Sequence, residues 1–418
     1  MRSVFDTQPP DPVLPGPLLR VRGPVPRRRL REGLLSDAIS KATRRVDSGE
    51  TVAVGVPSRG IDRLVEMVGR LVEAITARGA EAVLVPAMGS HGGNTSAGRR
   101  AQLEGQGLGA PRFCVEDGGP LEKVGPGPVY LPRMVRGVHR LILINRIKQH
   151  TIFRGPVQSG LGKGLVFGLG GADGAAAAHR RADQVGLERT LADLVPRLLA
   201  AGPPTGGLAL VEDGAHCLTH VEWVEGECFL QRDRALLELA RRLAPRLAIA
   251  HGHLLIVERM GKDLSGSGMD PHVLNDPDGR RRFGEIYVRA LTGSSEGNGL
   301  GVGLATRISS RLLEAIDPVV TRLNAETSGS WSKIRVPPVY ATDRAALAAA
   351  FSGASGPLLQ ISDTLCPHEA LAAGYTPAQI EAAGAVVLER LGPMAFDPSG
   401  RLLRNLAGTE VSGGAAGR

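Results

Sequence analysis

Short β-branched runs alternate with amphipathic helical segments along most of this chain, and that alternation confines it to a layered α/β fold. Thr51–Val56 is the first such run. Residues 61–78 follow, with Leu64, Val65, Val68, Leu71, Val72 and Ile75 at helical spacing, and residues 82–86 form a second strand. Strand, helix and strand make one βαβ unit, whose crossover lays the two strands parallel. The pattern recurs as a helix over 96–106, a buried strand over 139–145 and a helix over 184–201. In a sheet wound this way ligands bind beyond the carboxyl ends of the strands, where loops and helix N-termini gather.

The remainder sets the domain plan. Residues 1–30 are rich in Pro and Arg and read as an extended arm, and 30–46 as a helix. A charged helical stretch at 232–246 precedes a new strand at 253–257, placing a boundary near residue 248. The second half then alternates a Gly-rich turn (261–268), a helix (284–291), a Gly-rich loop (297–303) running into a helix (305–315), a helix (342–351), the strand Leu358–Ile361 and a helix (376–391). The expected architecture is α/β with two domains, each a mostly parallel Rossmann-like sheet flanked by helices, and an active site in the cleft between them. Residues 31–248 form the catalytic and cofactor-binding domain, 249–407 the C-terminal domain and 408–418 a disordered tail.

Composition excludes several function classes. The net charge of +8 is carried by scattered arginines such as Arg99-Arg100 and Arg241-Arg242, and aromatic residues make up only 3%, so no stacking platform for nucleic acid accompanies the charge. Cys114, Cys217, Cys228 and Cys366 form no C-x-x-C pair and read as reduced thiols. No apolar run suits a signal peptide or a bilayer span, so the expected compartment is the cytoplasm and no membrane partner is expected. Only six lysines occur, and three of them (Lys148, Lys163, Lys262) fall in the motifs that follow.

Four loops carry candidate chemistry: VGVPSRGI (54–61), PAMGSHGG (86–93), NRIKQH (145–150), and SGLGKG (159–164) followed by AAAAH (175–179). Glycine permits positive φ and close approach of a ligand, so a His or Lys fixed among glycines is placed to face something other than protein. His91 and His150 each follow a strand closely. Two imidazoles at neighbouring strand ends can act as opposed general bases near neutral pH. Lys163, in GLGKG, has little polarity around it and is a candidate for covalent attachment, while His179, sixteen residues on, is a candidate metal ligand. A phosphate-contacting lysine and a core histidine remain the alternatives for this pair. A Walker A loop is excluded because Gly164, not Ser or Thr, follows Lys163.

In combination these motifs resemble the nickel-pincer lactate racemase superfamily. The resemblance spans about residues 50–395 and is carried by PAMGSHGG, NRIKQHTIFRGPVQSGLGKGLVFGLG, the histidine sixteen residues after the lysine, MGKDLSGSGMDP, EGNGLGVGLA and IDPVVTRLNAETSGSWSKIRVPP. It implies a racemase or epimerase of a small-molecule 2-hydroxy acid. The implied cofactor is a sulfur-bearing, nicotinate-derived nickel-pincer nucleotide tethered to Lys163, with His179 completing the nickel site, His91 and His150 as bases, and Arg59 near a phosphate or carboxylate. Ser58, Gly89, Ser90, Gly162, Lys262 and Asp270 are the further implied cofactor contacts, and the pincer-synthesis enzymes the implied transient partners. Such chemistry suits these residues: removing an α-proton from a carboxylate is difficult, whereas moving the hydrogen as hydride needs only an acceptor and a base for the hydroxyl proton.

Departures from the lactate enzymes point to another hydroxy acid. The stretch from His150 to Lys163 is longer, GKDLSGSGMDPH differs from their substrate loop, and Glu296, Thr306 and His272 stand where His, Asp and Asn are expected in a related branch. Other classes are a nicotinamide-dependent dehydrogenase, whose G-x-G-x-x-G fingerprint is absent from GVPSRGID, another hydride-transferring or metal-dependent enzyme, a zinc hydrolase using His91, His150 and His179, and a non-catalytic carrier.

Overall fold

The structure is a computed structural model that describes residues 12–58, 60–89, 95–111, 113–403 and 406. The chain divides into two compact units, Pro26–Ala244 and a second that combines the segment before Pro26 with the chain from Pro245 onward. The first strand, β1 (Leu19–Arg22), belongs to the second unit.

In the Pro26–Ala244 unit, β2 (Thr51–Val56) and β3 (Glu81–Pro86) are followed by a ribbon of β4 (Leu121–Gly125) and β5 (Val129–Pro132). Then come β6 (Arg140–Arg146), β7 (Thr205–Glu212) and β8 (Leu218–Glu225). The main sheet runs β3-β2-β6-β7-β8, parallel except for the antiparallel β7–β8 edge. Alternate residues feed two cores. Val52, Val54, Ile142 and Ile144 face the helices Leu34–Thr43 and Leu64–Thr76, whereas Ala53, Leu141 and Leu143 face Gly171–Val185, Leu187–Ala201 and Phe229–Leu243. Burial on both faces is why these strands read as continuous apolar runs. The expected 184–201 helix is two helices broken at Gly186, whose φ of 85° ends the first.

The connections fix where the strand order reverses. From β2 the chain passes to β3 on one side and then crosses to β6 on the other, so the topological switch point lies between the carboxyl ends of β2 and β6. VGVPSRGI and NRIKQH leave these two ends, and PAMGSHGG leaves the neighbouring end of β3.

The second unit carries β9 (Gly252–Met260), β10 (Phe283–Leu291), β11 (Arg307–Ser309), β12 (Val339–Tyr340), β13 (Leu358–Ile361), β14 (Glu369–Ala373) and β15 (Val386–Arg390). Its sheet order is β12-β11-β10-β9-β13-β14-β1-β15, parallel from β12 to β13 and antiparallel beyond. Three expectations change here. The stretch read as a helix over 284–291 is strand β10, because consecutive Ile286, Tyr287 and Val288 are all buried in a central strand and leave no period of two. Helical segments over 305–315 and 376–391 shorten to Ser310–Glu314 and Pro377–Ala382, each next to a strand. The residues expected as an arm contain β1, where buried Val21 alternates with Arg20 and Arg22, both paired with Glu369.

Candidate functional site

Each loop at the switch point is fixed by hydrogen bonds from its surroundings. After β2, the Ser58 carbonyl accepts from Gln102 Nε2 at 2.9 Å, and the Asp62 amide donates to Glu212 Oε1 at 2.8 Å. Glu212 also pairs with Arg146 at the end of β6, tying β6, β7 and the chain at Asp62 together. After β6, Ser159 closes the segment of residues 148–159: its hydroxyl accepts from the Lys148 amide at 2.7 Å and donates to the Lys148 carbonyl at 2.6 Å. The His150 amide donates to Gln158 Oε1 at 2.9 Å, and Gln158 is buried. The longer stretch before Lys163 is therefore a closed, internally bonded loop.

His150 is held at its ring as well. Nδ1 accepts from the amides of Ile152 and Phe153, both at 3.1 Å, which places the proton of the neutral ring on Nε2. The ring packs on Phe153 with centroids 4.7 Å apart.

Lys163 ends the short helical turn Leu161–Lys163, which runs directly into a π-helical turn, Gly164–Gly168. Such π turns recur at functional sites because they redirect side chains out of the regular helical ladder. Its Nζ lies 5.0 Å from the Phe153 centroid and 5.5 Å from that of Phe167. His179, on the helix Gly171–Val185, stacks on Phe153 at 5.5 Å and meets the edge of Phe167 at 4.8 Å. Burial, with the Lys163 charge adding to it, lowers the His179 imidazole to about 4, so it is neutral and able to bind a metal at physiological pH.

Ala87 and Gly89, after β3, dock backbone to backbone on this turn. The Gly89 amide donates to the Gly168 carbonyl at 2.8 Å, and a Cβ at Gly89 would stand 2.8 Å from the Phe167 carbonyl oxygen. A Cβ at Gly168 would likewise stand 2.7 Å from the Ala87 oxygen. Gly89, whose φ is 59°, thus meets the main chain at the end of the π-helical turn that follows Lys163. The Gly162 amide donates to Asp233.

Of the residues proposed from sequence, Ser58, Gly89, His150, Gly162, Lys163 and His179 fall in the Pro26–Ala244 unit, and His150, Lys163 and His179 converge on Phe153. Arg59, Ser90 and His91 lie outside the described residues. Lys262 and Asp270 belong to the second unit. There Lys262 Nζ donates to the Gly266 carbonyl at 2.6 Å, and Asp270 caps the helix Pro271–Leu274 through the His272 amide at 2.9 Å. Among the described residues no three His, Cys, Asp or Glu side chains gather as a protein-only metal set. No helix among the described residues is long and apolar enough to cross a membrane.

Phe153, Phe167, Asn145 and Asp233 also shape the site, although none is among the candidate residues read from the sequence. The two phenylalanines stand inside the long motif NRIKQHTIFRGPVQSGLGKGLVFGLG, in a chain with only 8 Phe. That scarcity was the available signal.

No family model matches the sequence, and no curated protein matches it. Among solved structures the chain is similar to the lactate racemase apoprotein from Thermoanaerobacterium thermosaccharolyticum, with a TM-score of 0.50, 11% identity, and coverage of 83% of this chain and 99% of that chain. The fold is lactate racemase-like. At this identity the likeness concerns fold, and the chemistry has to be argued from the side chains.

Proposed function

We propose that this chain is an isomerase, a racemase or epimerase of a 2-hydroxy acid, that works with a nickel-pincer nucleotide attached to Lys163 and with nickel held by His179. The observation that carries this reading is the placement of the Lys163 amine and a neutral imidazole against the same two phenyl rings. The donor chemistry fits the group: an attachment amine, one neutral nitrogen ligand and an apolar wall, in a place where the described residues gather no three His, Cys, Asp or Glu side chains to hold a bare ion. When bound, the group would supply a hydride acceptor and a Lewis-acidic metal.

The chain's own residues then have separable tasks. Phe153 and Phe167 exclude water from the amine and the imidazole. His150 meets the substrate oxygen through Nε2, since Nδ1 is engaged by two amides. In the tautomer so fixed it donates to a keto oxygen. To take up a hydroxyl proton at Nε2 the ring must first carry its proton on Nδ1, so the 151–153 turn rearranges when the base is armed. We assign His91 as the opposed base and Arg59 as the partner of an anionic group, for which a bidentate guanidinium is suited. Ser58, Gly89, Ser90 and Gly162 are assigned to the cofactor surroundings. The partners are the hydroxy acid and, transiently, the enzymes that build and attach the nucleotide. The closed loop before Lys163, together with Glu296, Thr306 and His272, favours a substrate other than lactate.

The test is intact mass and nickel content of protein produced beside the pincer-synthesis enzymes. The expected result is an adduct mapped to Lys163 with bound nickel, both lost in Lys163→Ala. Unmodified Lys163 in protein that racemises a hydroxy acid would overturn the proposal.

A further inference from the structure

We propose that Asp233 is the positioning residue for Lys163, its buried carboxyl group clamping the first turn of the lysine segment and so fixing where the ε-amine is presented. The inference rests on the function proposed above for Lys163. Asp233 is fully buried on the helix Phe229–Leu243, where it shares an apolar stripe with Phe229, Leu236, Leu237 and Ala240. A carboxylate at such a position is costly to bury, and burial raises it to about 7 against the opposing pull of its hydrogen bonds. Its two oxygens accept from consecutive amides, Oδ1 from Leu161 and Oδ2 from Gly162, both at 2.9 Å. These are N–H groups of a helical turn's start, where the ladder offers no partner, and they immediately precede Lys163.

The glycines of the motif are shaped to this clamp. A Cβ at Gly160, whose φ is 116°, would stand 2.2 Å from Asp233 Oδ1, and one at Gly162 would stand 2.6 Å from Leu230 Cδ2 on the same helix. On the other side Asn145, at the end of β6, donates from Nδ2 to the Gly160 carbonyl at 2.6 Å, and a Cβ at Gly164 would stand 2.8 Å from that nitrogen. The turn is thus gripped between the helix bearing Asp233 and the carboxyl end of β6. The spacing of SGLGKG leaves Lys163 as the side chain that projects from the gripped turn toward Phe153 and Phe167.

The experiment uses the apoprotein, so its outcome does not depend on nickel, cofactor or turnover. Amines are acetylated in limiting acetic anhydride, and the labelling rate of Lys163 is read by peptide mass mapping relative to exposed Lys41 in wild type, Asp233→Asn and Leu237→Ala. Asn keeps the shape but sets an NH2 against one of the two amides. The Lys163:Lys41 ratio is expected to shift at least about fivefold in Asp233→Asn, the ratio equivalent to one lost hydrogen bond, with the fold retained by circular dichroism. Leu237→Ala, a core truncation on the same helix, should lower the melting temperature and leave the ratio unchanged. An unchanged ratio in folded Asp233→Asn, or an equal shift in Leu237→Ala, overturns the proposal. Should Asp233→Asn not fold, Asp233→Glu is read in the same way, since its longer side chain keeps the carboxyl group but displaces the turn. If neither folds while Leu237→Ala does, Asp233 holds the core rather than the lysine, and the proposal is likewise overturned. If Lys163 proves never to be loaded, the labelling result still stands and only the purpose of the clamp changes.

Discussion

His179 lies stacked on Phe153, with ring centroids 5.5 Å apart and planes within 14° of each other. The same phenyl ring packs on His150 and on the Lys163 amine, so one side chain organises three groups that the sequence separates by up to 29 positions. Phe153→Ala should therefore act on chemistry as well as packing. In the apoprotein, water reaching His179 should raise its titration midpoint from about 4 toward the ordinary value of 6.5, read by proton NMR. Loss of the buried ring should cost roughly 3–5 kcal/mol of stability in urea unfolding. A stability loss with an unmoved His179 titration would show that Phe153 only fills space.

His150 should carry its proton on Nε2 in the resting protein, because two amides point at Nδ1. Long-range nitrogen–proton correlation spectra report the tautomer directly, and a protonated Nδ1 would contradict the geometry. His150→Ala and His91→Ala should each retain the cofactor and lose about 10²–10⁴-fold in turnover, the usual contribution of a positioned acid or base. Loss of nickel in either variant would instead make that histidine a ligand.

Much of this was legible in the sequence, and what was not has physical causes. The βαβ alternation, with strands buried on both faces, announces the sheet of the Pro26–Ala244 unit, and the carboxyl-end rule places the loops after β2, β3 and β6 beyond its strand ends, whereas Ser58 and Gly89 as cofactor contacts come from the family resemblance alone. Strand β10 was missed because a strand buried on both faces leaves its apolar run without a period of two, and short buried runs do not distinguish strand from helix. Strand β1 was missed because its partners, β14 and β15, lie some 350 residues away. Asp233 carries a signal within the sequence. In QRDRALLELARR the surrounding charges mask the informative feature, one acidic residue in register with Phe229, Leu236, Leu237 and Ala240. A charge on the apolar stripe of a helix marks a buried partner.

The fate of the transferred hydrogen separates the proposed chemistry from a two-base proton mechanism. A hydrogen taken by His91 or His150 would sit on a ring nitrogen and exchange with solvent, whereas hydride held on carbon does not exchange. Racemisation in heavy water should therefore give product with almost no deuterium at C2, and C2-deuterated substrate should keep its label. Early solvent deuterium at C2 would leave the histidines as the acid and base of a cofactor-free racemase.

Asp233 also predicts a pH dependence of folding with a definite sign. Its carboxyl titrates near 3.8 when the chain is unfolded and is raised to about 7 by burial in the folded protein. Between these values the folded chain holds a proton that the unfolded chain has released, so unfolding releases a proton and this group's contribution falls as pH rises through the window. At about 1.4 kcal/mol per unit the full swing is at most roughly 4 kcal/mol. His179 acts in the opposite sense, being lowered by burial, and favours the folded state as pH rises from about 4 toward 6.5. The wild-type curve alone is therefore ambiguous. The difference between wild type and Asp233→Asn removes the shared His179 contribution, and from pH 5 to pH 8 the variant should gain stability relative to wild type by a few kcal/mol in urea unfolding. Parallel curves would mean that Asp233 is ionised throughout the window in the folded chain, with its two amide bonds outweighing burial.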